Sequence, residues 1–408
     1  MNLLYIGRFY PDSILSTIIR DTKGKVGFSN HNFEMSLIRG FTQSENLNLS
    51  ILTAPAVYSF PHNNRNPQYK EYRYDIHGCP VKSIGFCNLV FLNRLSVIRN
   101  LQKAIRKEFS SFGSDEIYVI VNTPSLELSA ALFSAIRHQR KRIKTALIVP
   151  DIPECLVEMQ SKSIKNIFVK LQNKITAKLT RRYDKYVFLT AAMNDFFNLP
   201  QNRFIVMEGL VGLEKEVSLM QDEMTSAIFQ KEVILYTGSL KRVFGIMDLV
   251  AVFETGAFPD AELWICGSGE CADEISKRAE KTPRIKFWGL VSSEEALRLQ
   301  KQATILANPR SAAGRYTKYS FPSKTIEYLL AGKPVIMNRL PGVPPEYDRY
   351  LHYPDNEGTE AWVKKLQEIM ALPKEDRLRQ NEAARNFIKD NKTAYRQCRK
   401  ILDFLAQN

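Results

Sequence analysis

Little in this 408-residue sequence suits a membrane span: even Tyr118-Val-Ile-Val-Asn-Thr turns polar long before the ~20 apolar residues that a spanning helix requires. The first residues, Met1-Asn-Leu-Leu-Tyr-Ile-Gly-Arg8, have neither the basic flank nor the length of a signal peptide and read as a first strand. A cytoplasmic location is therefore expected. The six cysteines are scattered with no CxxC pair, which argues against a zinc site or a disulfide framework. Five histidines show no ligand spacing, and no paired-aspartate motif occurs, so neither a metal nor a bound cofactor is expected. There is no zinc finger, RNP-type motif or aromatic-interleaved basic stretch, which puts nucleic acid last among partners. Internal repeats and low-complexity segments are missing too.

What is present is a globular composition, 44% apolar and 25% charged, in a chain long enough for two full-sized cores. The formal charge of +14 calls for anionic partners. A nucleoside diphosphate and anionic lipid headgroups are the two leading classes.

Strand and helix signals alternate through the first half. Apolar strands are read at Leu3–Ile6, Leu49–Leu52, Ile117–Val121, Thr145–Val149 and Tyr186–Leu189. Between the first two, Lys23-Gly-Lys-Val-Gly27 leads into Phe33, Leu37, Ile38 and Phe41 at helical spacing. This pattern predicts a parallel sheet covered on both faces, with ligands beyond the carboxyl ends of its strands. Asp151 and Glu154 follow one such strand and are placed to meet a hydroxyl, although Asp151 equally reads as a helix cap. From Ile164 to Leu179 an apolar stripe is read as core-facing, with lysine stems reaching water beside it. Its flank of Lys170, Lys174, Lys178, Arg181 and Lys185 is read as available to an anionic membrane surface, which adds a peripheral place at the inner face of the membrane. The polar run 213–230 reads as a linker.

The second half restarts at Val233-Ile-Leu-Tyr-Thr-Gly238-Ser239-Leu240, followed by Glu262-Leu-Trp-Ile-Cys-Gly267-Ser-Gly269-Glu270. Glycines ending both strands are expected to let backbone approach a ligand. The densest signal is Tyr319-Ser320-Phe321-Pro322-Ser323-Lys324-Thr-Ile-Glu327-Tyr-Leu-Leu-Ala-Gly332-Lys-Pro-Val-Ile. Pro322 suits a first helical turn, Gly332 a left-handed cap, and Pro334-Val-Ile a buried strand. The free N–H groups of such a helix start, with Lys324 beside them, suit an anion, and Glu327 follows about a turn later.

That stretch, with Tyr-Thr-Gly-Ser-Leu and Gly-Ser-Gly-Glu, resembles the donor-binding segments of family 4 (group 1) glycosyltransferases of the bacterial surface-polysaccharide type. The resemblance implies the GT-B fold, an α/β architecture of two Rossmann-like domains facing a cleft. The expected divisions are 1–212 for the acceptor side, 231–385 for the nucleotide-sugar side and 386–408 for a helix returning to the first domain. It further implies a retaining sugar transfer from a UDP- or GDP-linked donor to a glycan or lipid-linked acceptor, without an essential metal. Glu327 would hold the donor ribose, and the run from Ser320 to Lys324 its diphosphate. Gly27, Gly209, Gly238, Gly267, Gly269 and Glu270 would line the donor. The chain departs from the family pattern in three places. Tyr319 replaces a Glu that ordinarily contacts the donor sugar, while Ser239 and Phe244 stand where an Arg and a Lys usually meet the leaving diphosphate. Lys241, Arg242, Arg310 and Lys318 are within sequence reach to replace those cations. A silent GT-B protein that binds a nucleotide-sugar or a partner is the alternative reading.

Overall fold

A computed structural model of the protein describes residues 1–23, 28–113, 116–138, 140–152, 167–212 and 231–407. The chain forms two compact units: Met1–Met207 with Ala394–Asn408, and Glu208–Thr393.

Among the described residues, the first unit carries ten strands. They are β1 (Asn2–Gly7), β2 (Asn48–Thr53), β3 (Gln68–Tyr69), β4 (Tyr72–Ile76), β5 (Cys79–Ser83), β6 (Phe86–Cys87), β7 (Ile117–Asn122), β8 (Ile143–Val149), β9 (Lys185–Phe188) and β10 (Phe204–Val206). Eight of them make one sheet in the order β10-β9-β8-β7-β1-β2-β5-β4. All neighbours run parallel except β4 and β5, a hairpin whose turn residues His77 and Gly78 both take positive φ. Near-complete burial of β1, β7 and β8 shows why their sequences are unbroken apolar runs: both faces are covered. One cover is the helix Phe28–Thr42, against which the last helix, Ala394–Ala406, packs. There the buried thiol of Cys398 donates to the Leu37 carbonyl at 3.2 Å.

The second unit carries β11 (Glu232–Ser239), β12 (Ala261–Ser268), β13 (Ile285–Gly289), β14 (Ile305–Asn308) and β15 (Val335–Met337). They form a wholly parallel sheet in the order β13-β12-β11-β14-β15. Alternate residues of β11 feed two cores. Val233 and Leu235 join Leu306, Tyr328 and Leu329 on one face, while Ile234 and Tyr236 join Leu249, Ile265 and Ile275 on the other.

The unit boundaries differ from the expected ones for local reasons. Residues 386–391 stay in the second unit because Lys374–Asn391 is one continuous helix, with Ala384, Phe387 and Ile388 buried there. Residues 208–212 also belong to it, since the Val211 N–H donates to the Lys392 carbonyl at 3.0 Å. The run 213–230, Glu154 and Gly27 lie outside the described residues.

Candidate functional site

In the second unit the chain passes from β11 to β12 and β13 on one side, then returns to place β14 on the other. Strand order therefore reverses between β11 and β14, and parallel sheets bind ligands beyond the carboxyl ends of the strands at such a point. Residues 238–245 leave β11 there, and 309–324 leave β14.

The organising segment arrives at this place with a shorter helix than its sequence suggests. Thr325 N–H bonds to the Pro322 carbonyl at 2.8 Å, so Pro322 and Ser323 form a turn and the helix spans only Lys324–Leu330. Gly332 ends it at φ +69, as a left-handed cap requires. Phe321 turns into the core, its ring 5.4 Å from that of Tyr347, and Tyr319 is buried. Gly209 lies against Phe321 and Ile326, where a Cβ would come within 3.0 Å of the Ile326 side chain.

Glu327 is buried, and its Oε1 accepts from Lys324 Nζ at 2.9 Å and from Gln300 Nε2 at 2.7 Å. Lys324, in the first turn of the helix, thus pairs with Glu327. Gln300 also reaches Thr237 Oγ1 at 3.3 Å, and the Thr237 N–H donates to the hydroxyl of Tyr328 at 2.8 Å. Burial holds the Tyr328 phenol well above its usual pKa, so it stays a neutral hydrogen-bonding post. The network ties Glu327 rigidly to the end of β11. Gln300 and Thr237 were not foreseen, because neither stands out in its own segment.

The four expected cations separate into distinct environments. Arg310 is buried, its guanidinium lies over the rings of Phe244 (5.5 Å) and Tyr316 (4.9 Å), and Nη1 approaches Ser320 Oγ at 3.4 Å. Lys241 is exposed and points over the same Phe244 ring at 5.9 Å. Lys318 is exposed, with its ammonium 5.5 Å from the Tyr319 ring. Arg242 instead pairs with Glu274 at 2.5 Å. Arg310 and Lys241 thus converge on the Phe244 ring, and the carboxylate of Glu274 occupies Arg242.

The glycines at the ends of β11 and β12 pack closely against backbone. Gly238 and Gly267 are register partners, and a Cβ on Gly267 (φ +146) would sit 1.8 Å from the Gly238 carbonyl oxygen. A Cβ on Gly269 would likewise meet the Leu240 backbone at 2.5 Å. What these glycines approach is the chain's own backbone, which lets the two strand ends stay adjacent. Glu270 joins them by accepting from the Arg242 N–H at 2.9 Å. Ser239 closes the turn, its carbonyl accepting from the Tyr236 hydroxyl at 2.8 Å.

The first unit has its own reversal point, between β7 and β1, and a cavity of about 460 Å³ lies there. Arg8, Tyr10, Asn30, His31, Tyr58 and Thr123 are among its lining residues. Tyr10 is fixed as a wall, its hydroxyl donating to the Ala56 carbonyl at 2.9 Å. Burial lowers the pKa of His31, whose Nδ1 accepts from the Tyr10 N–H at 3.3 Å. Thr123 holds φ +79, a costly conformation for a β-branched residue and one that clusters at ligand sites. Beneath the cavity both carboxylate oxygens of buried Glu34 accept from the Arg8 N–H, at 3.0 and 3.1 Å. Burial outweighs those bonds and pushes the Glu34 pKa up to about 7. Asp151 is exposed after β8 and is not among the lining residues. Among the described residues, no three His, Cys, Asp or Glu side chains gather as metal ligands would.

Residues 231–371 match the family model described as glycosyl transferases group 1. That match covers most of the second unit. Among curated proteins none matches the chain. Solved structures similar to it include the lipopolysaccharide outer core galactosyltransferase WaaB in its apo form, at TM-score 0.64 and 13% identity over 99% of each chain. Anabaena HepE in complex with UDP aligns over all of both chains at TM-score 0.62 and 14% identity. An E. coli trehalose-6-phosphate protein bound with UDP-2-fluoro glucose aligns equally fully at TM-score 0.63 and 9% identity. At such identities the likeness establishes the fold, which is GT-B.

In the first unit, two residues of the basic flank expected to face lipid bond to neighbouring carbonyls. Lys185 donates to the carbonyls of Phe404 (2.6 Å) and Gln407, and Arg181 to that of Phe196 at 2.9 Å. Lys174 and Lys178 are exposed, as is Ile175 of the stripe read as core-facing, while the side chain of Lys170 lies outside the described residues. No helix among the described residues is long and apolar enough to cross a membrane.

Proposed function

We propose that this chain moves a sugar from a nucleoside-diphosphate sugar to a glycan or lipid-linked acceptor, with retention of anomeric configuration, in bacterial surface-polysaccharide assembly at the inner face of the membrane. The observation that carries the reading is the β11/β14 reversal within the segment that matches the family model, where Arg310 reaches Ser320 and Glu327 is tied through Gln300 to Thr237 of β11. In the reaction the anomeric C–O bond to the diphosphate breaks, a new one forms to the acceptor oxygen, and the acceptor hydroxyl loses its proton. Charge builds on the leaving diphosphate, and a fixed guanidinium offers it two parallel donors. Arg310, with Lys241 and Lys318 nearby, takes that role in place of the cations missing at Ser239 and Phe244. Glu327 accepts from the ribose hydroxyls, its position set by Gln300. The cavity of the first unit takes the acceptor. Donors linked to UDP come first because two of the similar structures hold UDP or a UDP-sugar, and GDP-linked donors come second.

Tyr319, buried where relatives carry a carboxylate, favours a second reading as a silent nucleotide-sugar binder. Incubating the purified chain with UDP- and GDP-sugars separates the two. The enzyme releases nucleoside diphosphate slowly by hydrolysis even without acceptor. Calorimetric binding of a donor with no release at all would leave the silent reading standing.

A further inference from the structure

We propose that residues 89–95 and the helix Asn93–Ser111 of the first unit dock on an anionic lipid bilayer, at the rim of the acceptor cavity. The proposal rests on the lipid-linked acceptor of the reading above.

Single exposed apolar residues are ordinary on protein surfaces, whereas contiguous ones mark interaction sites. Here four fall within seven residues: Leu89 at 38% exposure, Phe91 at 89%, Leu92 at 50% and Leu95 at 56%. Phe91 is the most exposed of all the large apolar residues described. The helix that follows buries Val97, Leu101, Ala104, Ile105 and Phe109 on its inner face. At 100° per residue, Leu95, Arg99, Lys103 and Arg106 fall on the opposite face, and all four are exposed. With a rise of about 1.5 Å per residue, cations run from about 6 Å (Arg99) to about 18 Å (Lys107) beyond Leu95. Of the five cations in the helix Arg94 pairs with Glu127 at 3.2 Å, and the helix's one carboxylate, Glu108, is turned inward to accept from Ser50 Oγ at 2.7 Å. An apolar tip continued by a basic stripe complements a bilayer of anionic headgroups over apolar chains.

The patch is also tied to the cavity. Asn88 Nδ2 donates to the Tyr58 carbonyl at 3.0 Å, the Phe60 N–H donates to the Asn88 carbonyl at 2.9 Å, and Leu89 bridges Phe60. Tyr58 lines the cavity and is itself 51% exposed. A bilayer that takes up Phe91 and Leu92 therefore lies beside the wall that receives the acceptor head. The surface replaces the Lys170–Lys185 flank as the membrane contact.

The test is co-sedimentation of the full chain with vesicles of phosphatidylglycerol and phosphatidylcholine, with pure phosphatidylcholine as control. Wild type is expected to sediment with the anionic vesicles and to be released by salt. Phe91→Ser with Leu92→Ser, and separately Arg99→Glu with Lys103→Glu and Arg106→Glu, should each cut the bound fraction by about ten-fold or more. Lys174→Glu with Lys178→Glu should leave it unchanged. These side chains are exposed, and an unchanged melting temperature checks the fold. Wild type remaining in the supernatant at low salt would overturn the proposal. So would patch variants that bind vesicles as wild type does, or a patch that in sedimentation velocity serves only to pair two copies of the chain. Calorimetric titration with UDP in the absence of vesicles reads the donor site alone, so a failure of membrane docking is told apart from a failure of the transferase reading.

Discussion

At the scale of single residues, Glu327 and Arg310 stand in opposite electrostatic settings: Glu327 is linked through Gln300 to Thr237 of β11, and Arg310 follows β14. Glu327 is a buried carboxylate made tolerable by Lys324 and Gln300, so its geometry is fixed before any ligand arrives. Glu327→Ala should weaken nucleoside-diphosphate binding by about 1.5–3 kcal/mol, the range for a hydrogen bond to a charged group. Calorimetric affinity equal to wild type would mean that the ribose contact lies elsewhere. The Arg310 guanidinium lies over the rings of Phe244 and Tyr316, whereas Arg242 spends its charge on Glu274. Accordingly Arg310→Ala should lower turnover by about ten-fold or more, because a positioned charge on the leaving group is usually a large catalytic contribution. Arg242→Ala should stay near wild type in the same assay. Equal losses in the two variants would show that the aromatic sandwich does not select the catalytic cation. Arg310 and Arg242 look alike in the sequence, and only their neighbours tell them apart.

Among the elements, the segments that cross between units are held by a buried ion pair inside the second unit. Lys392, at the end of the helix Lys374–Asn391, pairs with Glu208 and with Glu346 at 2.6 Å. Glu208 also accepts from the hydroxyl of Tyr347 at 2.8 Å. Two charges withdrawn from water are tolerable only together. Lys392→Met should therefore destabilise the second unit by about 3–5 kcal/mol, the cost of leaving a carboxylate buried alone. Adding Glu208→Gln, which keeps an acceptor for Tyr347, should restore most of that loss. A denaturant titration of the single and double variants decides it, and additive losses would rule out the coupling. The element pattern itself was largely legible: continuous apolar strands and Gly332 followed directly from backbone chemistry. The hairpin β4–β5 was not read, although Tyr72-Arg-Tyr-Asp-Ile76 alternates apolar and polar residues as an edge strand with one covered face does.

For the whole molecule, pH acts on the first unit through Glu34. Its pKa of about 7 in the folded state lies above the 4.5 of an exposed glutamate. Below pH 4.5 both states hold the proton; from there to about 7 only the folded state holds it, so folding loses stability as pH rises through this window. Over that span the loss should approach about 3 kcal/mol, and Glu34→Gln should abolish it. Denaturation midpoints of both forms measured between pH 4.5 and 7.5 provide the check, and parallel curves would refute it. By itself the sequence determined the α/β class and the segment from Tyr319 to Ile336, because strand periodicity, a proline-led turn and a glycine cap act over a few neighbouring residues. Tertiary structure alone decided which side chains meet. Gln300 reaches Glu327 from another helix, and Arg8 and Asn30 after β1, Tyr58 after β2 and Thr123 after β7 converge on one cavity. Parallel strands are joined by long crossovers, so their carboxyl ends are adjacent in space while remaining distant in sequence, and local chemistry carries no record of that adjacency.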